Sequence, residues 1–235
     1  MANLFKRYSL LCIRKLIKPQ IVKLDNVQIF IDKSLSCKML NVLFQGKYEQ
    51  YEIAIIKNIL DQNDIVLEIG TGLGLISCYC AKIIGSEKVF TFEANPELEK
   101  IIRYNYKLNN VEPKLEIGVL GGFETEVEFY IEPDIWSSSL YKRSANSKKI
   151  TVPVLNVNEV IINVNPSFLI VDIEGGEFDL FRHISHFRNI KKIAIEIHKR
   201  VIGDAKLESI RRQLAENGFE IDLNLSTEGN LLFLK

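Results

Sequence analysis

The sequence has few of the residues that mark secreted, metal-binding or disordered proteins. Its 235 residues include 4 cysteines, 6 prolines and 1 tryptophan. Cys78 and Cys80 are separated by a single residue within an apolar helical pattern, which suits neither a Cys-x-x-Cys redox motif nor a zinc knuckle. We therefore expect all the cysteines, with Cys12 and Cys37, to be reduced thiols in a cytoplasmic protein.

An excess of charge of one sign is also absent, because 30 Lys+Arg balance 30 Asp+Glu. A balanced chain has no overall field that concentrates polyanions, so we expect no nucleic-acid partner. The exception is local: residues 1–23 contain no acid but several bases, namely Lys6, Arg7, Arg14, Lys15, Lys18 and Lys23. This basic arm is typical either of a helix that contacts a membrane surface or a partner, or of a cap on the core.

Long hydrophobic runs are missing as well. Apolar stretches such as residues 168–171 are far shorter than the roughly 20 residues that cross a bilayer. Arg14 and Lys15 interrupt any apolar segment near the start, so we expect neither a membrane span nor a secretory signal.

What the sequence does contain is a regular alternation of strand and helix patterns. This alternation predicts an α/β fold with a mainly parallel sheet, helices on both faces and an antiparallel hairpin near the C-terminus. We predict a helical arm and short hairpin over residues 1–47, then one domain over 48–235. The predicted core strands are 65–69, 89–92, 115–120, 168–172 and 193–197.

Residues 123–154 interrupt this alternation and form a candidate lid. Their centre is rich in aromatic and hydroxyl groups, with Trp136, Ser137 to Ser139, Leu140 and Tyr141 in succession. We interpret this segment either as a loop that contacts the acceptor or as a surface loop with one buried tryptophan.

A glycine-rich turn joins the first core strand to the next helix. Gly70, Gly72 and Gly74 alternate with Thr71 and other residues just after the strand, where a helix N-terminus and open backbone favour a ligand. The dinucleotide fingerprint would require a third glycine where Leu75 stands, so an NAD(P) oxidoreductase is the weaker alternative.

Ionisable residues follow several of the predicted strands. Glu93 ends the second core strand, Asp172 and Glu174 follow a later one, and Glu196 and His198 follow the next. The carboxyl ends of parallel strands meet at one edge of a sheet, and this edge is where α/β proteins bind ligands. We therefore expect these side chains to share one crevice with the glycine loop.

Four segments carry a family resemblance: residues 66–77 around the glycine loop, 89–97 around Glu93, 168–178 with its Asp-x-Glu-Gly-x-Glu element, and 195–198. In this order and spacing the chain resembles the FkbM-type family of S-adenosylmethionine-dependent methyltransferases. The resemblance implies the class I methyltransferase fold, with a seven-stranded sheet whose final strand is antiparallel. It also implies methyl transfer from S-adenosylmethionine, usually to a hydroxyl oxygen of a sugar, glycan or small natural product.

The resemblance implies roles for individual residues. It places Asp172 near the methyl group, Glu93 at the ribose hydroxyls, Asn95 beside the adenosine, and Leu120 and Gly121 near the adenine. The amino acid part of the cofactor would be lined by Glu68, Gly70, Thr71, Gly72 and Gly74.

A weakly acidic hydroxyl needs a base, and Asp172, Glu174 and His198 are the candidates. His198 could instead bond a loop carbonyl, and Glu177 could merely favour a helix N-terminus. His183 and His186 are expected on a helix surface. We predict no metal, although Asp172, Glu174, Glu196 and His198 could together hold a divalent cation. A non-catalytic member that binds cofactor or a partner is the remaining alternative.

Overall fold

The computed structural model describes residues 20–32, 35–134 and 137–235. Most of the predicted basic arm therefore lies outside the described residues, as does Trp136. The first described element is the predicted hairpin, in which β1 (Ile21–Leu24) pairs antiparallel with β2 (Val27–Phe30). Asp25, with φ of 50°, forms the turn between them.

Eight helices and ten further strands follow in the described chain. The helices are α1 (Cys37–Gln45), α2 (Gln50–Ile59), α3 (Leu75–Ile84), α4 (Glu99–Leu108), α5 (Val157–Val164), α6 (Glu177–Phe181), α7 (Lys199–Ile202) and α8 (Asp204–Glu216). The strands are β3 (Val66–Ile69), β4 (Val89–Glu93), β5 (Lys114–Ile117), β6 (Val119–Gly121), β7 (Glu126–Ile131), β8 (Lys148–Asn156), β9 (Phe168–Val171), β10 (Lys192–Glu196), β11 (Glu220–Ile221) and β12 (Asn230–Leu234).

Seven of these strands form the central sheet, in the order β11-β12-β10-β9-β3-β4-β5. Neighbours from β10 to β5 are parallel, whereas β12 is antiparallel to both β10 and β11. A seven-stranded sheet with one reversed strand of this kind confirms the predicted class I methyltransferase fold.

Both faces of the sheet are covered by apolar layers. Along β9, Phe168 and Ile170 belong to one hydrophobic cluster, whereas Leu169 and Val171 belong to another. Successive side chains of a strand point to opposite faces, so the continuous apolar run reflects burial on both sides. The first cluster includes α1 to α4 and the β1–β2 hairpin, and the second includes α5, α6 and α8.

The boundary proposed at residue 47 remains a prediction. Leu43 of α1 and Ile53 of α2 lie on either side of it and belong to the same hydrophobic cluster.

The prediction of one strand over residues 115–120 is wrong. The strand divides at Gly118 into β5, which stays in the central sheet, and β6, which joins a small sheet of order β6-β8-β7. Strand β8 approaches so closely that a Cβ at Gly118 would lie 2.6 Å from a Leu155 side-chain carbon. The small sheet contains β7 and β8 of the predicted lid segment, and residues of both strands line the same cavity as Gly70 and Asp172.

Membrane-crossing helices are not found among the described residues, because none of those helices combines sufficient length with sufficient apolarity.

Candidate active site

The glycine loop lies against the segment that follows β9. The Gly70 amide donates to the Phe92 carbonyl at 2.8 Å, and its φ is 93°. A Cβ at Gly70 would lie 1.6 Å from the Asp172 carbonyl oxygen. Only glycine fits this position, since a side chain would overlap the neighbouring backbone and the φ also disfavours one. The contact brings the loop and Asp172 to the same edge of the sheet.

Glu93 joins the glycine loop to the start of the next helical segment. Its Oε2 accepts from the Gly72 amide at 2.9 Å, and its Oε1 accepts from the Asn95 amide at 2.8 Å. Burial raises the pKa of Glu93, although these amides act in the opposite direction. Each carboxylate oxygen retains a lone pair, which is what two ribose hydroxyls require.

The predicted cofactor residues divide into two groups. Those that line one cavity are Gly70, Gly72, Glu93, Leu120, Gly121 and Asp172. These residues form the wall of the cavity. The others, which are buried behind this wall, are Glu68, Thr71, Gly74 and Asn95.

The buried group supports the wall rather than forming it. The Thr71 hydroxyl donates to the Phe92 carbonyl at 3.3 Å, and Asn95 Oδ1 accepts from the Glu97 amide at 3.0 Å. Through this contact Asn95 caps the short helical segment that begins at Pro96. A Cβ at Gly74 would lie 2.9 Å from the Tyr106 ring, so close packing explains that glycine. Of the predicted cofactor residues, only the first group is accessible from the cavity.

Glu68 lies beneath the loop with 2% of its surface exposed. Burial raises its pKa to about 8, against the hydrogen bond from Ser77. Its Oε2 is buried and has no hydrogen-bond partner among the described residues. Glu68 thus supports the glycine loop from below and does not line the cavity.

The cavity has a volume of about 570 Å³, within the usual range for small-molecule sites. From the lid segment, Ser138, Leu140 and Tyr141 line it. The Tyr141 hydroxyl donates to Asp179, and this bond raises the Tyr141 pKa to about 12.

Tyr48 and Glu49 form part of the site and were missed in the sequence. The Leu73 amide donates to the Tyr48 hydroxyl at 3.1 Å, which anchors the segment before α2 to the glycine loop. Glu49 has φ of 48°, and its buried Oε2 has no partner among the described residues. Positive φ at glutamate is uncommon and marks a residue that its surroundings hold in place. No sequence signal shows this conformation.

Three carboxylates surround His198. Its Nδ1 lies 2.7 Å from Glu177 Oε1, and its Nε2 lies 3.2 Å from Glu174 Oε2 and 4.0 Å from Asp172 Oδ1. Burial lowers the His198 pKa, but the hydrogen bonds to Glu174 and Glu177 raise it to about 11. His198 is therefore an imidazolium that donates from both nitrogens, so it has no lone pair with which to accept a proton.

The alternative in which His198 bonds a loop carbonyl is not what the structure shows. Glu177, which is fully buried, accepts from His198 and from the Gly175 amide at 2.9 Å. These two hydrogen bonds, and not only the N-terminus of α6, therefore explain the position of Glu177.

Asp172 and Glu174 are in different electrostatic states. Burial and the nearby Glu196 carboxylate raise the pKa of Asp172 well above its usual value. Its buried Oδ1 has no hydrogen-bond partner among the residues that the structure describes. Glu174, which is half-buried, has a lowered pKa because His198 and Arg143 bond it, with Arg143 Nη1 at 2.7 Å. Among the three candidates, Asp172 is the one with a free oxygen and a proton affinity suited to a base.

His183 and His186 do not lie on a helix surface, because α6 ends at Phe181. His183 follows in a turn and lines the cavity near Gly122. The pattern overestimated the length of this helix, since tertiary packing ends it after five residues.

A divalent cation was the alternative for this cluster. In the described chain, ligand atoms of Asp172, Glu174 and His198 lie within 4.8 Å of one another, and Glu196 does not join them. However, Glu174 Oε2 already accepts from Arg143 and His198. A metal would have to displace the His198 proton and compete with the Arg143 guanidinium.

We therefore expect methyl transfer to survive metal removal. Exhaustive treatment with EDTA, followed by assay in metal-free buffer, should leave the rate within about twofold of the untreated protein. Re-addition of Mg²⁺ or Mn²⁺ serves as the control. A rate that collapses with EDTA and recovers with either ion would contradict the expectation.

Comparisons with known proteins agree with this geometry. The family model for the methyltransferase FkbM domain matches residues 61–221. A protein of Methanocaldococcus jannaschii, which bears the provisional name protein N5-glutamine methyltransferase, is 48% identical over 67 residues, covering 27% of this chain and 34% of that protein. The chain thus spans about a third of the length of this relative.

Solved structures show a more distant likeness. A methyltransferase from Pyrococcus furiosus is 14% identical, with 100% of this chain and 99% of that chain covered, at a TM-score of 0.48. A ribosomal protein L11 methylase from Lactobacillus delbrueckii subsp. bulgaricus is 16% identical, with 92% and 96% covered, at a TM-score of 0.47. Similarities at this level do not establish an activity.

S-adenosylmethionine is the cofactor of this family, and the cavity has the features it requires: the glycine cradle, the Glu93 carboxylate and orphaned carboxyl oxygens at Glu49 and Asp172. The family model covers well over half of the sequence. The chain therefore belongs to the methyltransferase FkbM domain family.

Proposed function

We propose that the chain is an S-adenosylmethionine-dependent methyltransferase that methylates a hydroxyl oxygen of a sugar, glycan or small natural product. The observation that carries this proposal is Asp172, a cavity-lining carboxyl group with a raised pKa and a buried, unpartnered oxygen. A hydroxyl acceptor must lose a proton during transfer, and a poised carboxylate is suited to take it.

The bound cofactor supplies an already activated methyl group on a sulfonium, so the protein chiefly positions the reactants and manages one proton. Gly70, Gly72 and Glu93 would hold the cofactor, with Leu120 and Gly121 beside its base. Asp172 would accept the hydroxyl proton on its carboxylate, which lines the cavity. Each of these residues lines the same cavity.

Glu174 and His198 would act as positioning residues. His198, held by Glu177, presents its Nε2–H to Glu174 Oε2, and Arg143 Nη1 bonds the same oxygen. This arrangement fixes positive charge 4.0 Å from Asp172 Oδ1, where it stabilises the ionised form without replacing the base.

Thermal-shift titration tests the cofactor part of the proposal. We expect S-adenosylhomocysteine to raise the Tm and NAD(P) to leave it unchanged, because ligands that bind only the folded state stabilise it. A shift with NAD(P) alone would support the oxidoreductase alternative and end the proposal. Label transfer from methyl-labelled cofactor to a glycan or metabolite pool then separates an enzyme from a non-catalytic member.

A second candidate is methylation of a nitrogen, which the name of the Methanocaldococcus jannaschii relative suggests. The labelled product distinguishes the two. A methyl ether supports the proposal, whereas an N-methyl amide or amine supports this second candidate.

A further inference from the structure

Three polar residues form an acidic corner at one end of the cavity: Glu52 of α2, Glu196 at the end of β10 and Asn230 at the start of β12. Glu196 and Asn230 are register partners across the two strands. Directly opposite residues of an antiparallel pair have their side chains on the same face. Glu52 and Asn230 are 7% and 6% exposed, and all three line the cavity.

Burial of the acidic corner costs free energy, because it places two carboxyl groups side by side. Burial, followed by the neighbouring Glu196 carboxylate, raises the Glu52 pKa to about 8. The ion pairs of the described residues leave both carboxylates without a lysine or arginine partner, since Arg143 bonds Glu174 and His198 bonds Glu174 and Glu177. A buried Glu52 next to a half-buried Glu196 destabilises the fold unless a positive charge or donor joins them.

The side-chain amide of Asn230 is a separate observation at the same place. It is more than nine-tenths buried, it lines the cavity, and its side chain has no hydrogen-bond partner in the described part of the chain. Buried amides are normally hydrogen-bonded, so this group is available to a ligand. The corner thus presents two carboxyl groups and one carbonyl oxygen, which match the three N–H donors of an alkylammonium.

Strand order separates this corner from the cofactor. Glu93 and the glycine loop follow β4 and β3, whereas Glu196 and Asn230 belong to β10 and β12 on the other side of β9. Asp172 follows β9 and lies between the two halves. A molecule in the corner would therefore approach Asp172 from the side opposite the cofactor.

We infer that the acceptor is a hydroxylated compound that also carries an ammonium group, and that Glu52, Glu196 and Asn230 bind this group. The inference rests on the proposed function, because it places the ammonium beside the hydroxyl that faces Asp172. Amino sugars belong to this chemical class.

Matched probe pairs test the inference. In the presence of saturating S-adenosylhomocysteine, calorimetric titration would compare glucosamine with glucose, and 2-amino-1,3-propanediol with glycerol. We expect each ammonium probe to bind about 10- to 100-fold more tightly than its neutral partner, as a charge-assisted hydrogen bond implies. N-acetylglucosamine, which keeps the sugar but loses the charge, should behave like glucose.

Substitutions test whether the preference for ammonium probes arises from the acidic corner. Glu52→Gln and Glu196→Gln should each reduce the ammonium preference about tenfold, whereas Glu208→Gln on the exposed face of α8 should not. S-adenosylhomocysteine should bind all three variants as it binds the parent chain. Equal binding within both probe pairs would overturn the inference.

A loss of S-adenosylhomocysteine affinity in Glu52→Gln or Glu196→Gln, with probe binding unchanged, would also overturn it, because the corner would then hold the cofactor's own amino group. Failure of the parent chain to bind S-adenosylhomocysteine would instead refute the proposed function, so the two failures are distinguishable.

Discussion

Replacement of Asp172 by asparagine should reduce methyl transfer by about 10²- to 10⁴-fold, the usual contribution of a general base. Asparagine keeps the size of the side chain but removes its proton affinity. S-adenosylhomocysteine should still bind within about tenfold of the parent affinity, because Gly72 and Glu93 are unaffected. Single-turnover assays and calorimetry measure the two effects separately.

The pH dependence gives a second readout. Burial and Glu196 raise the Asp172 pKa, so the carboxylate form is lost at a higher pH than for an ordinary aspartate. The rate should rise with pH through this raised pKa and fall on acidification, and Asp172→Asn should abolish this limb. The exposed Asp204→Asn is the matched control. Retention of both rate and pH profile in Asp172→Asn would contradict the assigned role.

Gly70→Ala should abolish cofactor binding and destabilise the fold by about 3 kcal/mol or more. The new Cβ would lie 1.6 Å from the Asp172 carbonyl oxygen, so the loop and the segment after β9 cannot both keep their positions. Denaturant unfolding reports the stability loss, and titration with S-adenosylhomocysteine reports the loss of binding.

Gly46→Ala separates this clash from the general cost of a positive φ. Gly46 has φ of 67° but no atom within 4 Å of a Cβ built on it. We expect this variant to lose only about 1 to 2 kcal/mol and to bind S-adenosylhomocysteine normally. Similar behaviour of the two variants would show that conformation, not contact with Asp172, explains the glycine.

Much of the fold was predictable because strand and helix patterns are local. Asn95 and Pro96 predict the start of a helical segment, and the structure places Asn95 as its cap. The features that the sequence patterns did not predict depend on contacts between residues that are distant in the sequence. Gly118 ends β5 because β8 approaches it, and no property of residues 115–120 shows this approach. Helix α1 was missed although Ser36 and Gly46 cap its ends.

The candidate site shows the same division. The residues after β4, β9 and β10 converge as the strand-end rule predicts, so Glu93, Asp172 and Glu196 line one cavity. The distribution of protons was not predictable, because the charge on His198 depends on Glu177 and on Glu174 together. The burial of Glu52, in contrast, is indicated by the sequence. Glu52 lies one helical turn before Ile55 and Ile56, which places it on the same buried face of α2.

The position of β12 has a consequence for how the protein is made. This strand lies between β10 and β11, yet it is synthesised after both of them. Until it emerges from the ribosome, the edge of β10 remains unpaired and available for wrong pairings. Asn230 belongs to β12, so the acidic corner cannot be complete before this strand pairs with β10. The proposed ammonium site therefore depends on the last strand of the sheet to form.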